Sequence, residues 1–395
     1  MNQGLSLFQA PPFIIVFGFF LTATAFGVLA SIFELYFSIK GFINLPTLVH
    51  LYTIGFGLFT MFGALFQMLP VVAGAVIKDP KPKALISYLL MLSGFLLMLL
   101  GFFYGKTLLV GSTLVYGGIL YTSLLMLWHL FRIKANIPTP MGFRYALIFL
   151  IVGTSIGLYG VFSLFGYTPF LRDLVKFHYT ILLFGWVALL VASVSFRVVE
   201  MFFVTEAYPN RFAMLFPLFL LLSLFLSLFG EIFSLPLIVL YLLYSYMTVK
   251  RLLRRKRKTE ASILFWYLSQ GFLMISLLIY LFHEKFFFAF LFSFLVFFSS
   301  IIMGMMYRII PFLVWFHLSS IPAVKVPLMS QVISYERIRL SFYLHTLWVL
   351  SLMGSYLLAQ KKGFVISSTL HLVSSLFFFY NIYTGGMLYF KRKSV

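Results

Sequence analysis

Two histidines in this chain share the same neighbourhood. His50 is followed six and seven residues later by Phe56 and Gly57, and His178 in the same way by Phe184 and Gly185. Seven residues is two helical turns, so each glycine lies on the histidine's own face, about 10 Å along the helix. A missing side chain there opens a slot beside an imidazole, which is what a flat metal-bearing macrocycle standing against a helix needs. The same glycines would equally permit close helix crossing, with the histidines hydrogen-bonded near an interface. The two repeats differ in register, because the spacing from histidine to the motif described next is 13 residues in one and 15 in the other. His371 completes the set of candidate ligands, placed at a depth similar to His50 and His178. His283, beside Glu284, reads as interfacial, and His129, His317 and His345 read as structural. Met303, Met305 and Met306 offer soft ligands among 17 ordinary packing methionines.

A second constellation recurs three times. The octets beginning at Gly63, Ser193 and Gly304 follow the pattern small, two of any kind, aromatic, polar, two of any kind, breaker, and they end at Pro70, Glu200 and Pro311. Their polar members are Gln67, Arg197 and Arg308. An arginine inside a membrane is costly unless paired or hydrated, so Arg197 and Arg308 either snorkel to the headgroups or bind a buried anion such as a propionate. Glu200 stands where the other octets carry proline, and its expected partner is Arg197, three residues before it, or an arginine of another repeat.

The elements that must position these residues follow from composition. The 395 residues are 62% hydrophobic and 10% charged, with mean hydropathy +1.06, which is too little polar surface to cover a soluble globule. Apolar stretches long enough to span a bilayer fall at 12–37, 44–70, 84–104, 107–131, 142–166, 174–203, 212–229, 232–249, 261–282, 286–313, 339–359 and 364–390. The octets lie on the second, sixth and tenth of these. The expected fold is therefore all-α: a polytopic membrane protein with twelve transmembrane helices in three pseudo-threefold four-helix arcs. It reads as a single transmembrane domain over 1–395, with the arcs centred on the helices at 44–70, 174–203 and 286–313. The first span lacks a basic leader and a small-residue cleavage site, so it reads as a retained helix.

Twelve spans with both termini cytoplasmic put 20 of the 29 basic residues on the inner side, among them Lys134, Arg257 and Lys258. Seven, including Arg172, fall outside, and Arg197 and Arg308 lie within helices. The net charge of +20 then reflects inner loops facing anionic lipid; nucleic acid is not an expected partner. The absence of cysteine excludes disulfides, thiolate metal sites, iron–sulfur clusters and covalently attached haem. No phosphate loop, hydrolytic triad or zinc-protease motif is present, and no catalytic residue is assigned.

Twelve spans in three arcs, with His50 at the start of the second and His178 on the sixth, resemble subunit I of the haem–copper oxidase superfamily. The stretch Gly63-Ala-Leu-Phe-Gln-Met-Leu-Pro-Val-Val also resembles the end of the second helix in its oxidase and nitric-oxide-reductase branches. The resemblance implies that His50 is an axial ligand of a low-spin haem and that His178 stands where a copper ligand would be. The chain departs from the family elsewhere. It has no adjacent histidines and none between His283 and His317, and Leu182 follows His178 where a cross-linked tyrosine would be needed. A binuclear centre cannot be assembled, so oxygen reduction and copper are not expected. The second haem ligand would have to be His178 or His371. A weaker resemblance is to NnrS-type haem membrane proteins.

The resulting expectation is a divergent relative that binds b-type haem through His50 and either His178 or His371, for electron transfer or a nitric-oxide-related role. Gly57 and Gly185 would shape its slot, and Arg197 and Arg308 would meet its propionates. The alternative is a haem, copper or small-solute transporter, or an assembly factor for a respiratory complex, on the same scaffold. The expected surroundings are a lipid bilayer, the inner membrane of a prokaryote, and other respiratory-chain proteins. The scarcity of intramembrane carboxylates, Glu34 and Glu200 being the main cases, argues against a proton pump.

Overall fold

The computed structural model describes residues 10–133, 137–171, 173–256, 260–322, 324–358 and 360–393. Lys134, Arg172, Arg257 and Lys258 of the charge distribution lie outside the described residues. The long helices are α1 (Phe13–Lys40), α2 (Leu45–Ala73), α3 (Pro80–Tyr104), α4 (Leu108–Phe131), α5 (Pro138–Leu164), α6 (Leu174–Phe203), α7 (Asn210–Ser227), α8 (Leu235–Leu253), α9 (Ile263–Tyr280), α10 (Phe287–Ser319), α11 (Tyr335–Leu357) and α12 (Lys361–Lys393). Among the described residues eleven of these are long and apolar enough to cross a membrane, so this is an all-helical, multi-pass membrane protein. The exception is α11, where Tyr343, His345, Ser351, Gly354 and Ser355 dilute the apolar run.

Helix starts follow local chemistry. Asp79 takes a left-handed turn (φ 45°) and Pro80 opens α3, Pro138 opens α5 after extended Ile137, and Ser334 caps α11 through the Arg337 amide. The breaker positions of the octets do not break their helices. Pro70 sits in a π-helical stretch inside α2, and α10 continues through Pro311 to Ser319. Proline is tolerated within membrane helices because neighbouring groups and local π adjustments satisfy the freed carbonyls.

The small residue of each octet marks a close helix approach. A Cβ on Gly63 would lie 2.7 Å from Phe19 Cβ on α1, and one on Gly304 would lie 2.9 Å from Phe265 Cβ on α9. A Cβ on Gly142 of α5 would collide with the Ser193 hydroxyl of α6. In each case the helix that precedes the octet's helix packs at the octet's first position.

The chain forms two compact units, with boundaries inside α2, α9 and α10. The first is built chiefly from Leu65–Lys258 and Gln270–Phe294, the second from Pro12–Ala64, Thr259–Ser269 and Leu295–Val395. Within the first, glycines let α3 and α4 meet backbone to backbone; a Cβ on Gly94 would stand 2.6 Å from the Val115 nitrogen.

Candidate functional site

The polar centre of the second unit is a half-buried carboxylate. Glu34, six residues before the end of α1, accepts four hydrogen bonds from three other helices. Oε2 takes His371 Nδ1 of α12 at 2.7 Å and the Tyr52 hydroxyl of α2 at 3.2 Å. Oε1 takes Ser368 Oγ of α12 at 3.3 Å and Trp348 Nε1 of α11 at 3.4 Å. Ser368 and His371 reach one carboxylate because they lie three residues apart on one face of α12.

The His371 ring is held on both sides. It stacks on Trp348, with centroids 4.0 Å apart at 14°, and lies parallel to Tyr52 at 5.8 Å and 11°. With Nδ1 donating to Glu34, the lone pair is on Nε2, and the Tyr52 hydroxyl is 3.2 Å from that atom. One turn before Trp348, His345 is buried with Nε2 2.9 Å from Ser300 Oγ on α10.

Tyr52, His345 and His371 border a cavity of about 30 Å³, whose wall also includes Thr24, Gly27 and Met303. It has room for a water molecule or a bare ion and none for a porphyrin. A hydroxyl, two imidazoles and a carboxylate held behind one of them can exchange protons with whatever enters.

The other expected ligands have hydrogen-bond partners of their own. His50, half-exposed on α2, places Nδ1 2.8 Å from the Pro46 carbonyl. His178 belongs to the first unit, where its Nδ1 is 2.9 Å from the Gly153 carbonyl and its ring fits against Gly157. The glycine slots are filled by rings: a Cβ on Gly57 would collide with Phe298, and one on Gly185 would come within 2.7 Å of Phe149. A haem standing in either slot would have to displace those rings, so the residues present do not fit the macrocycle there.

The π-helical stretches explain the register mismatch between the two histidines. They cover Leu51–Leu58 and Ile181–Ala188, and each begins twelve residues before the small residue of its octet. On that register the counterpart of His50 is Thr180, and His178 aligns with Leu48. In α6 the carbonyl of Phe184 inside the π stretch accepts the Tyr241 hydroxyl at 2.5 Å, so a side chain from α8 satisfies backbone there.

The octet's polar residues differ in their surroundings. Gln67 is buried. Arg197 is half-exposed and lies 3.6 Å from Glu200, the i+3 alternative of the two expected pairings. Arg308 is buried against Glu260, which precedes α9. Sequence reasoning missed Glu260 because it lies 48 residues away on another helix end. It also passed over Trp348 and Tyr52, whose one signal was an isolated carboxylate on α1 in need of donors.

The chain matches no protein-family profile and no curated protein.

Proposed function

We propose that the chain is a membrane carrier, not a pump, that lets protons move down their gradient, alone or with a small solute, through the Glu34–His371 centre. The observation that carries this reading is a half-buried carboxylate hydrogen-bonded to an imidazole at the edge of a water-sized cavity. In the step we envisage, His371 Nε2 takes a proton from a hydronium ion in the cavity as the Nδ1 proton passes to Glu34 Oε2. The carboxylic acid then releases its proton away from the cavity, and a half-turn of the imidazole restores the tautomer with the proton on Nδ1, so that one proton crosses per cycle. Tyr52, Trp348 and Ser368 hold both partners in place. Twelve spans in three four-helix repeats, with both termini cytoplasmic in a prokaryotic inner membrane, form the scaffold. The recurrent approach at Gly63, Ser193 and Gly304 supports the repeats, and the distribution of basic residues supports the orientation.

Purified protein in liposomes loaded with a pH-sensitive dye tests the reading. An imposed potential should drive acidification that Glu34→Gln lowers by at least about 100-fold. Equal flux in the variant and in the unaltered protein, or no flux in either, would sink it.

A second reading, b-type haem serving electron transfer or a nitric-oxide-related role, is favoured by one observation. Glu34 holds His371 through Nδ1, as a carboxylate orients a metal-ligating imidazole. Haem there would require the cavity to open around Phe56 and Phe378. A reduced-minus-oxidised spectrum with a Soret band lost in His371→Ala would favour it, and a blank spectrum would leave the carrier reading alone.

A further inference from the structure

The first unit carries a polar cluster that the carrier reading does not use. Glu231 opens the short turn before α8, and His283 and Glu284 lie in the turn between α9 and α10. One potential ligand atom from each of the three lies within 4.8 Å of the others, the only such group of His and carboxylate residues among the described residues. In a chain with nine acidic residues, two of them meet at this point.

The imidazole is the second, independent observation. The His283 side chain is 2% exposed. Its Nδ1 donates to the Tyr280 carbonyl at 2.7 Å and lies 4.0 Å from Glu231 Oε1. Its Nε2 is buried with no hydrogen-bond partner. A ring nitrogen bonded to a backbone carbonyl fixes the tautomer and leaves the other nitrogen with a free lone pair, the arrangement found in metal-ligating histidines. Tyr280 stacks on the ring at 4.5 Å and 13°, and its own hydroxyl is anchored 3.0 Å from Thr180 Oγ1, so the imidazole is preorganised.

We propose that Glu231, His283 and Glu284 form a divalent-cation site of zinc type, tying the turn before α8 to the turn before α10. Two carboxylates and one imidazole supply three protein ligands, with water completing a tetrahedral set. Lys176 on α6 lies 3.3 Å from Glu284 Oε1. Its ammonium is the competitor that an entering cation displaces.

Full-length protein in nanodiscs, stripped with chelator and equilibrated with Zn²⁺, provides the test. After desalting, one zinc per chain should remain, and Zn²⁺ but not Mg²⁺ should raise the melting temperature. Glu231→Gln and His283→Asn should each weaken retention by about tenfold or more, and Lys176→Met should tighten it. No retained zinc, or equal retention in Glu231→Gln, overturns the proposal. Glu231 is 40% exposed, so its variant decides the matter even if His283→Asn fails to fold.

Discussion

Two arginines at matching octet positions show how burial sets the worth of a charge. Arg308 and Glu260 are 8% and 1% exposed, whereas Arg197 and Glu200 are 43% and 37% exposed. Removing one partner of a buried pair strands the other charge and costs about 3–5 kcal/mol, while an exposed pair contributes at most about 1 kcal/mol. Arg308→Ala should therefore destabilise the protein severely and Arg197→Ala hardly at all, measured by unfolding of the detergent-solubilised protein. Comparable losses in the two would contradict the assignment. Both arginines are visible in the sequence as the same motif position. The carboxylate that makes one of them structural is 48 residues away and visible only in the fold.

At the scale of the helix, small residues serve different ends according to what faces them. Gly142 meets Ser193 on the neighbouring helix, and a Cβ has no room there; Gly117 on α4 has nothing within 4 Å. Gly142→Ala should cost about 1–3 kcal/mol by overpacking. Gly117→Ala should be neutral or stabilise by up to about 1 kcal/mol through helix propensity. Melting curves of the two variants check this pair. At the start of α11, the Glu336 carboxyl is held below its ordinary range by its own backbone amide and by Ser334. A lowered carboxyl pKa contributes stability that is present above the unfolded value and lost as pH falls through the folded one. Hydrogen exchange at the first turn of α11 should therefore quicken, relative to intrinsic rates, below about pH 4.5, the ordinary value. Glu336→Gln should abolish that change. The phenylalanine-glycine faces after His50 and His178 were legible as recurrent, but not as faces already filled by Phe298 and Phe149.

Whole-molecule topology is testable because the chain has no cysteine. Single cysteines at Lys78 and Lys106 should react with an impermeant thiol reagent from opposite sides of the membrane, Lys78→Cys from the cytoplasm. Lys325→Cys and Lys361→Cys bracket α11, and opposite labelling there would make it a twelfth span. Labelling from one side would leave the eleven helices whose length and hydropathy suffice alone.

The amino-acid sequence by itself determined the class of this protein. Hydropathy and helix length depend on runs of neighbouring residues, and no tertiary contact is needed to see that a bilayer must be the solvent. The octets and their small residues were legible for the same reason, since a local pattern repeats wherever helices pack alike. His371 and Glu34 stood out in the sequence one by one, but only tertiary structure joined them into a site. Glu34, Tyr52, Trp348 and His371 lie as many as 337 residues apart in the chain, and what makes them one centre is the convergence of four helices on a single carboxylate. Burial and hydrogen-bond geometry, which decide whether a histidine is a ligand, a relay or packing, are properties of that convergence and have no local signature.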